Sequence, residues 1–311
     1  MCSPSLSRTS RTIGAKRRGF VLVPALLLGL VFISCAAAFA WFSRLQVKGA
    51  LREKTALESR SMAQVLTLSF ISAFKAARSA YDSPTQAWFK PVLFPAGELG
   101  TWGVRLTPLD DKIPLRSLFL PDGNTLRSEL RRTWEALWEK LEKRELSGLV
   151  LDFMDSDSRP RVGGSEREGH INRPLLDMSE FLLLEEMTPG LLYGEKGKLG
   201  VADYVTLWSG GKVNLNVAPV HVVEILPGLN RTQAENIAAF REKEALKGPD
   251  SLRAVPGFPA RAIPALMNLA AFGSRYFSIQ IEPLDGEVDL GVRFAVVFDK
   301  TSGAIVWWEE F

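Results

Sequence analysis

The sequence predicts an α+β fold in which a long amino-terminal helix packs on an antiparallel sheet and a large, mostly helical domain is inserted between strands. Three features predict it: an uncharged run that leads into an amphipathic stretch, one isolated strand near Trp102, and three alternating segments at the carboxyl end. A lone strand is not stable by itself, so we expect it to pair with the carboxy-terminal strands. The intervening residues 114–274 are then an insertion.

The first 42 residues predict a membrane anchor behind a basic leader. Residues 1–19 carry five basic side chains and no acidic one, and residues 20–42 are uncharged. At about 1.5 Å per residue, a helix of this length crosses a bilayer core of about 30 Å. Basic residues before the span favour a cytoplasmic amino terminus and a translocated body. A lipoprotein acylated at Cys35 is an alternative.

The leader itself has a recognisable form. The stretch KRRGFVLVPALLLGL resembles the leaders of type IV pilin-like precursors, which a prepilin peptidase cuts after a glycine. The matching bond joins Gly19 and Phe20, which are the candidate processing residues. Pro24 stands at the fifth mature position, where most such proteins have Glu. A proline in the first turn of a helix costs little, because the amides there mostly lack partners inside the helix.

Residues 43–113 predict the first part of a folded domain. Apolar residues at spacings of three and four predict an amphipathic helix over Arg52–Tyr81. Prolines and glycines predict a loop over 84–100, and alternation predicts a strand over 101–109.

The inserted block and the tail differ in periodicity. In the block we expect a helix over Leu126–Leu146, an acidic loop from Leu151, and helical segments over Leu175–Phe272. In the tail, residues 275–311, three alternating segments separated by turn residues predict an antiparallel meander.

Two helix–Pro-Gly–helix units lie in the block. The stretch VEILPGLNRTQAENIAAFREK is followed by the similar LRAVPGFPARAIPALMNL. DNA-binding hairpins use backbone amides of such turns to contact phosphate. Here a second turn glycine is replaced by Asn230 in one unit and by Pro259, which has no amide hydrogen, in the other. Acidic residues also dilute the nearby arginines. We therefore interpret the units as hairpins that pack on each other, with DNA binding as the alternative.

The composition offers little for catalysis. The chain has 311 residues, a formal net charge of +3, and two cysteines, Cys2 and Cys35, which leave the body without a thiolate metal site. Its two histidines, His170 and His221, lie in no HExxH pattern, and no GxSxG or phosphate-binding loop occurs. We predict that the protein is not an enzyme, and keep a signal-anchored enzyme as an alternative.

Four stretches, in this order, resemble the general secretion pathway protein K family of type II secretion minor pseudopilins. They are GFVLVPALLLGLVF, LDFMDSDSRP, NRPLLDMSEFLLLEEMTP, and KVNLNVAP followed by ILPGL. The resemblance implies a pilin-like fold with an inserted helical domain. It also implies a place at the pseudopilus tip, with other minor pseudopilins, the inner-membrane assembly platform and prepilin peptidase as partners.

The same resemblance implies a bacterial inner-membrane protein with a single span and a periplasmic body. Two other functions remain open: a membrane-anchored, competence-type DNA receptor with helix-hairpin-helix units, and a minor pilin of a related type IV pilus machine. The sequence disfavours nucleic acid as a partner.

The acidic loop supplies candidate metal ligands. Members of the resembled family can bind calcium in this region, and Asp155, Asp157, Glu166 and Glu168 offer oxygen ligands at loop spacing. Arg167 stands where the family has Asp, and the aromatic residues of the family's acidic run are missing. We predict calcium as the one cofactor, with a solvated acidic turn neutralised by Arg159 and Arg161 as the alternative.

Overall fold

The structure is a computed structural model that describes residues 22–77, 79–284 and 292–311. The predicted leader, residues 1–19, and the predicted processing residues Gly19 and Phe20 lie outside the described residues. The chain divides between Leu57 and Glu58 into two compact units.

Helices and strands alternate irregularly along the chain. The α-helices of the described residues are α1 (Leu22–Ala76), α2 (Ser128–Lys140), α3 (Leu146–Met154), α4 (Pro189–Tyr193), α5 (Val201–Tyr204), α6 (Val220–Val223), α7 (Arg231–Arg241) and α8 (Ile263–Leu269). Their strands are β1 (Val92–Pro95), β2 (Thr101–Pro108), β3 (Ile113–Pro114), β4 (Val205–Thr206), β5 (Val213–Asn214), β6 (Ala270–Ala271), β7 (Tyr276–Pro283), β8 (Phe294–Asp299) and β9 (Ile305–Glu310). Short 3₁₀ helices cover Ala87–Phe89, Gly97–Leu99, Leu115–Ser117, Met178–Leu183, Pro249–Ala254 and Ala260–Ala262.

The first unit contains the amino-terminal part of α1. From Leu22 to Phe42 this helix has no charged side chain, and its large apolar side chains are exposed. Within the described part of the chain, α1 is the helix long and apolar enough to cross a membrane. This finding fits a single-pass membrane anchor, as the uncharged run predicts.

The second unit is built on a five-stranded antiparallel sheet with the order β1-β2-β7-β8-β9. The last turns of α1 cover one face of it, where Phe74, Trp102 and Phe277 are buried together in one core. The ring of Phe74 meets that of Phe277 edge-on at 4.9 Å between centroids. The predicted α+β fold, a long helix on an antiparallel sheet, is confirmed.

A large, mostly helical block is inserted between two neighbouring strands of this sheet. The chain leaves the sheet after Pro108 of β2 and returns at Tyr276 into β7, which pairs with β2. Between them the block forms its own core, in which Trp134, Trp138 and Phe153 are fully buried. The predicted insertion between strands is therefore confirmed as part of the fold.

Asp110 joins the two ends of the insertion. Its carboxylate accepts hydrogen bonds from Ser209 Oγ at 2.7 Å and from the backbone amides of Arg275 and Tyr276 at 2.8 and 3.0 Å. The side chain is 2% exposed, and this burial raises its pKa. Asp110 thereby holds the point where the chain leaves the sheet beside the point where it returns.

The stretch over 84–100 was wrongly predicted as a loop throughout. Val92–Pro95 form β1, which pairs antiparallel with β2 at the edge of the sheet, Val92 opposite Val104. The prolines of this stretch led to the loop prediction, because a proline has no amide hydrogen to donate to a neighbouring strand. They are tolerated at an edge strand, where one side needs no partner.

Two of the predicted helices end at other residues in the structure than in the prediction. The helix expected over Leu126–Leu146 stops at Lys140, and Glu142 takes a left-handed φ of 57°. A second helix, α3, then runs on to Met154, into the segment predicted as a loop, because its apolar face is buried in the core of the insertion. The amphipathic stretch over Arg52–Tyr81 ends as helix at Ala76.

Candidate functional site

An acidic group lies where α3 meets the loop after it. Asp152 in α3 and Asp155 directly after it are 0% and 1% exposed, and the partly buried Glu166 comes from the loop. One carboxylate oxygen from each of the three lies within 4.8 Å of the others. The spacing of three residues places Asp152 and Asp155 on one side of the helix end.

Arg161 neutralises part of this acidic group. Its Nη2 donates to Asp155 Oδ2 at 2.6 Å, and its Nε lies 3.2 Å from Asp152 Oδ1. Its backbone amide also donates to Asp152 Oδ2 at 3.1 Å. One side of the group is therefore satisfied by Arg161, one of the two arginines of the alternative interpretation, although Asp152 and Asp155 are buried and not solvated.

The other side of the group has buried polar atoms without hydrogen-bond partners. They are Asp155 Oδ1, Glu166 Oε1 and both ring nitrogens of His170. The His170 side chain is 4% exposed, and its Nδ1 lies 3.4 Å from Glu166 Oε2. Leaving a buried polar atom unpaired costs about 1–3 kcal/mol. The unpartnered oxygens of Asp155 and Glu166, in a group that also holds Asp152, are therefore donors that suit a divalent cation.

The electrostatics of these carboxyl groups agree with that interpretation. Burial raises the pKa of Asp155, although the hydrogen bond from Arg161 opposes the rise. Burial also raises the pKa of Glu166, and the nearby charge of Asp155 adds to this rise. The two carboxylates thus destabilise each other when both are ionised, and a bound cation would relieve that repulsion.

Two glycines allow the loop to approach α3 this closely. A Cβ atom on Gly164 would lie 2.0 Å from Asp152 Oδ2, and one on Gly148 would lie 2.6 Å from the backbone of Gly163. Any larger residue would therefore push the loop away from α3. Because of these glycines, the loop that carries Glu166 can lie close enough to α3 to form one side of the acidic group.

The structure brings two of the four sequence-predicted ligands together. Asp155 and Glu166 belong to the acidic group, whereas Asp157 and Glu168 are not among its members. Asp157 accepts the backbone amide of Arg159 at 2.8 Å, and Glu168 is exposed. Sequence reasoning missed Asp152, although its spacing of three from Asp155 was a signal. His170 lies beside Glu166 but is not a member of the group.

The two Pro-Gly turns pack against each other's hairpins. Gly228 of the first turn has a φ of +75°, and a Cβ atom there would lie 2.7 Å from Ala262 Cβ in the second unit. In return, Asn236 Nδ2 of α7 donates to the carbonyl of Pro256 in the second turn at 2.9 Å. Gly228 therefore serves a protein contact.

Arginines of the first unit are also engaged within the protein. Arg231 forms an ion pair of 2.7 Å with Glu235 and lies 3.9 Å from Glu224. Arg241 donates to the carbonyls of Leu215 and Ala218 at 2.7 and 2.6 Å. Both residues thus have roles in the fold, which reduces the positive charge available to a phosphate backbone.

A helix-hairpin-helix motif family matches residues 209–268, the segment that holds both hairpins. This is less than half of the chain. No curated protein matches the sequence.

Among solved structures, one chain of the crystal structure of the GspK-GspI-GspJ complex from the enterotoxigenic Escherichia coli type 2 secretion system has a similar fold. The TM-score is 0.62 at 17% sequence identity, and the match covers 86% of this chain and 99% of that one. The chain therefore has a pilin-like fold of the kind found in that pseudopilin complex.

Proposed function

We propose that this protein is a minor pseudopilin at the tip of a type II secretion pseudopilus, an assembly component without catalytic activity that serves protein secretion across the outer membrane. The observation that carries the proposal is the architecture: an apolar amino-terminal helix and a helix-covered sheet with a large insertion between β2 and β7. Such an insertion would be hard to fit along a shaft of close-packed subunits, whereas it can overhang at an end.

The proposed partners are other minor pseudopilins, the inner-membrane assembly platform and a prepilin peptidase that cuts after Gly19. The solved neighbour is itself a complex of GspK, GspI and GspJ, which supports pseudopilin partners. Pro24 at the fifth mature position also supports a place for this subunit at the tip of the pseudopilus. A subunit with no neighbour ahead of it loses nothing by lacking a carboxylate there.

The proposed location is the bacterial inner membrane, with one span, a cytoplasmic amino terminus and a periplasmic body. A periplasmic reporter enzyme fused after Phe311 tests this topology, because it is active only when translocated. Activity of the reporter is expected. An inactive fusion with an intact chain would reverse the orientation.

Co-purification tests the assembly role. The full chain is expressed with two other minor pseudopilins of its own operon and purified in mild detergent. Size-exclusion chromatography with light scattering is expected to show one complex of all three. A monomer that remains separate under these conditions would contradict the proposal. The two related roles are distinguished by deleting either the secretion operon or a pilus operon. A pseudopilin should lose its complex in the first deletion, and a minor pilin of a related machine should lose it in the second.

The rival DNA receptor makes a different prediction for the same sample. It requires binding of duplex DNA that weakens steeply with salt. Arg261, exposed in the second hairpin unit, is the sharper probe, since Arg241 is used by the fold. Binding that falls in Arg261→Gln, together with failure to join the pseudopilins, would favour the receptor.

We also propose that the acidic group binds a divalent cation that joins the loop to α3, with calcium as the sequence-based prediction. Asp152, Asp155 and Glu166 would supply its protein oxygens. A bound ion would stabilise the folded chain by mass action. A melting temperature that does not respond to any divalent cation would contradict this proposal and leave the assembly role untouched.

A further inference from the structure

A stripe of basic side chains follows the apolar part of α1. Arg44, Lys48 and Arg52 are exposed and stand four residues apart, so they lie within about 80° of one another around the helix. None of these three, called the basic stripe below, forms an ion pair within the part of the chain that the structure describes. The first acidic residue of the sequence is Glu53, and the residues three and four positions before it are uncharged. It therefore lies off the stripe and supplies no counter-charge to it.

We propose that the basic stripe binds the anionic headgroups of phospholipids in the leaflet where the membrane span ends. The inference goes beyond the role in a pseudopilus and does not depend on it, because it rests on the membrane span of α1. The bound headgroups would fix the depth at which this helix lies in the bilayer.

Aromatic side chains indicate where the stripe lies relative to the bilayer. Phe39, Trp41 and Phe42 close the uncharged run and are 72%, 66% and 55% exposed. Because tryptophan is enriched at the membrane–water interface, Trp41 marks that level. Along the helix axis, Arg44 lies about 3 Å beyond Phe42 and Lys48 about 9 Å beyond it. The headgroup layer is about 5–7 Å thick, so Arg44 lies inside it and Lys48 can reach it with its flexible stem.

The third cation should contribute less. Arg52 lies about 15 Å beyond Phe42, which is about one Debye length outside the headgroup layer at physiological ionic strength. A basic side chain near an anionic membrane surface strengthens binding by about fivefold. Arg44 and Lys48 should therefore supply most of the attraction.

The side of the membrane supports a local counter-charge. Basic residues favour the cytoplasmic side of a span, and the leader, residues 1–19, carries five of them. The basic stripe lies at the opposite end of the span, where it opposes the orientation that the leader favours. Charges that have to be translocated against this preference are stabilised where they arrive if an anionic headgroup neutralises them.

The test uses Trp41 as a local reporter in the full chain, reconstituted into phosphatidylcholine vesicles. One fifth of the lipid is either phosphatidylglycerol or phosphatidylcholine with brominated acyl chains, which quench tryptophan on contact. Trp41 lies three residues before Arg44 on the same side of the helix, and the other seven tryptophans all follow Glu58. Phosphatidylglycerol is expected to be enriched beside Trp41 by about fivefold or more. In Trp41→Phe the difference between the two lipids should disappear.

The variants separate the stripe from the total charge of the chain. Arg44→Gln/Lys48→Gln is expected to remove most of the enrichment, whereas Arg44→Lys/Lys48→Arg retains both charges and should retain it. Arg52→Gln should lower the enrichment less than Arg44→Gln does. The matched control is Arg131→Gln/Arg132→Gln, which removes two exposed cations of α2 and should leave the enrichment unchanged.

Three results would overturn the inference. The first is equal quenching by the two brominated lipids in the parent chain. The second is an enrichment that persists in Arg44→Gln/Lys48→Gln, and if this variant also fails to join partner pseudopilins, the stripe contacts protein instead of lipid. The third is an enrichment that falls equally in Arg131→Gln/Arg132→Gln.

Salt gives an answer on the parent chain even if a variant cannot be reconstituted. In 1 M sodium chloride the Debye length is about 3 Å, so the enrichment of phosphatidylglycerol beside Trp41 should be largely lost. An enrichment that resists this salt would also contradict binding through the charges of the stripe.

Discussion

Lys300 Nζ lies 2.8 Å from Asp82 Oδ1, and the Asp82 side chain is completely buried. The same carboxylate accepts the backbone amide of Ser274 at 2.8 Å. Lys300 follows β8, Asp82 follows α1, and Ser274 ends the insertion, so one charged pair holds three distant parts of the second unit together. Like the Asp110 junction, it lies where the insertion meets the sheet.

Breaking this pair should destabilise the protein strongly. Lys300→Met leaves a buried carboxylate without its cation, and the free energy of unfolding should fall by roughly 3 kcal/mol. The double variant Asp82→Asn/Lys300→Met should recover most of the loss, since it removes the uncompensated charge. Urea unfolding followed by tryptophan fluorescence measures both. Arg60→Gln breaks a more exposed pair with Glu310 and serves as the control, with a much smaller expected loss because water screens the pair. Equal losses in both single variants would contradict the prediction.

The turn at Gly228 should tolerate no side chain. Gly228→Val adds a branched side chain at a φ of +75° and 2.7 Å from Ala262 Cβ, and we expect a loss of about 2 kcal/mol or more in unfolding free energy. Gly248→Ala is the matched control, because that backbone is extended and the space around it is open. Thermal unfolding compares the two. A stable Gly228→Val variant would show that the hairpins do not depend on this contact.

As the pH rises from 4 to 6, the ionisation of Asp111 should lower the free energy of unfolding. Burial raises the pKa of this carboxyl to about 6, partly offset by Lys112. In that window the folded state holds a proton that the unfolded state has released, so stability decreases as pH rises. Above pH 6 the full cost is about 2–3 kcal/mol.

Asp111→Asn should therefore raise the unfolding free energy at pH 7 by about 1–3 kcal/mol and flatten the decrease between pH 4 and pH 6. The measurement is urea unfolding across this range. Asp250→Asn changes an acid whose side chain is 96% exposed and should leave the profile unchanged. A decrease that persists in Asp111→Asn would assign it to other groups.

Processing should expose Phe20 as the new amino terminus. Co-expression with a prepilin peptidase is expected to remove residues 1–19, and Gly19→Val should block the cut, because a branched side chain crowds the residue before the scissile bond. Amino-terminal sequencing gives the answer. A mature chain that begins at Cys35 would favour the alternative of a lipoprotein. A chain that remains uncut would contradict the prediction of a pilin-like leader.

The sequence alone was sufficient for the elements whose pattern is local. An uncharged run predicts the apolar part of α1, and strict alternation predicts β2 and the three strands of the tail. Because a lone strand must find a partner, the same pattern also implied that β2 pairs with the tail and that a helical block lies between them. These features depend on the order of apolar and polar residues, which can be read along the chain.

Only the tertiary structure decided the features that depend on distant contacts. β1 is a strand because β2 supplies its ladder, and α3 extends to Met154 because the core of the insertion buries its apolar face. The acidic group exists because glycines let the loop approach α3, which brings Glu166 to Asp152 and Asp155. Spacing suggests which side chains share a helix face, but packing determines which loops meet, since that depends on the shapes of surfaces far apart in the sequence.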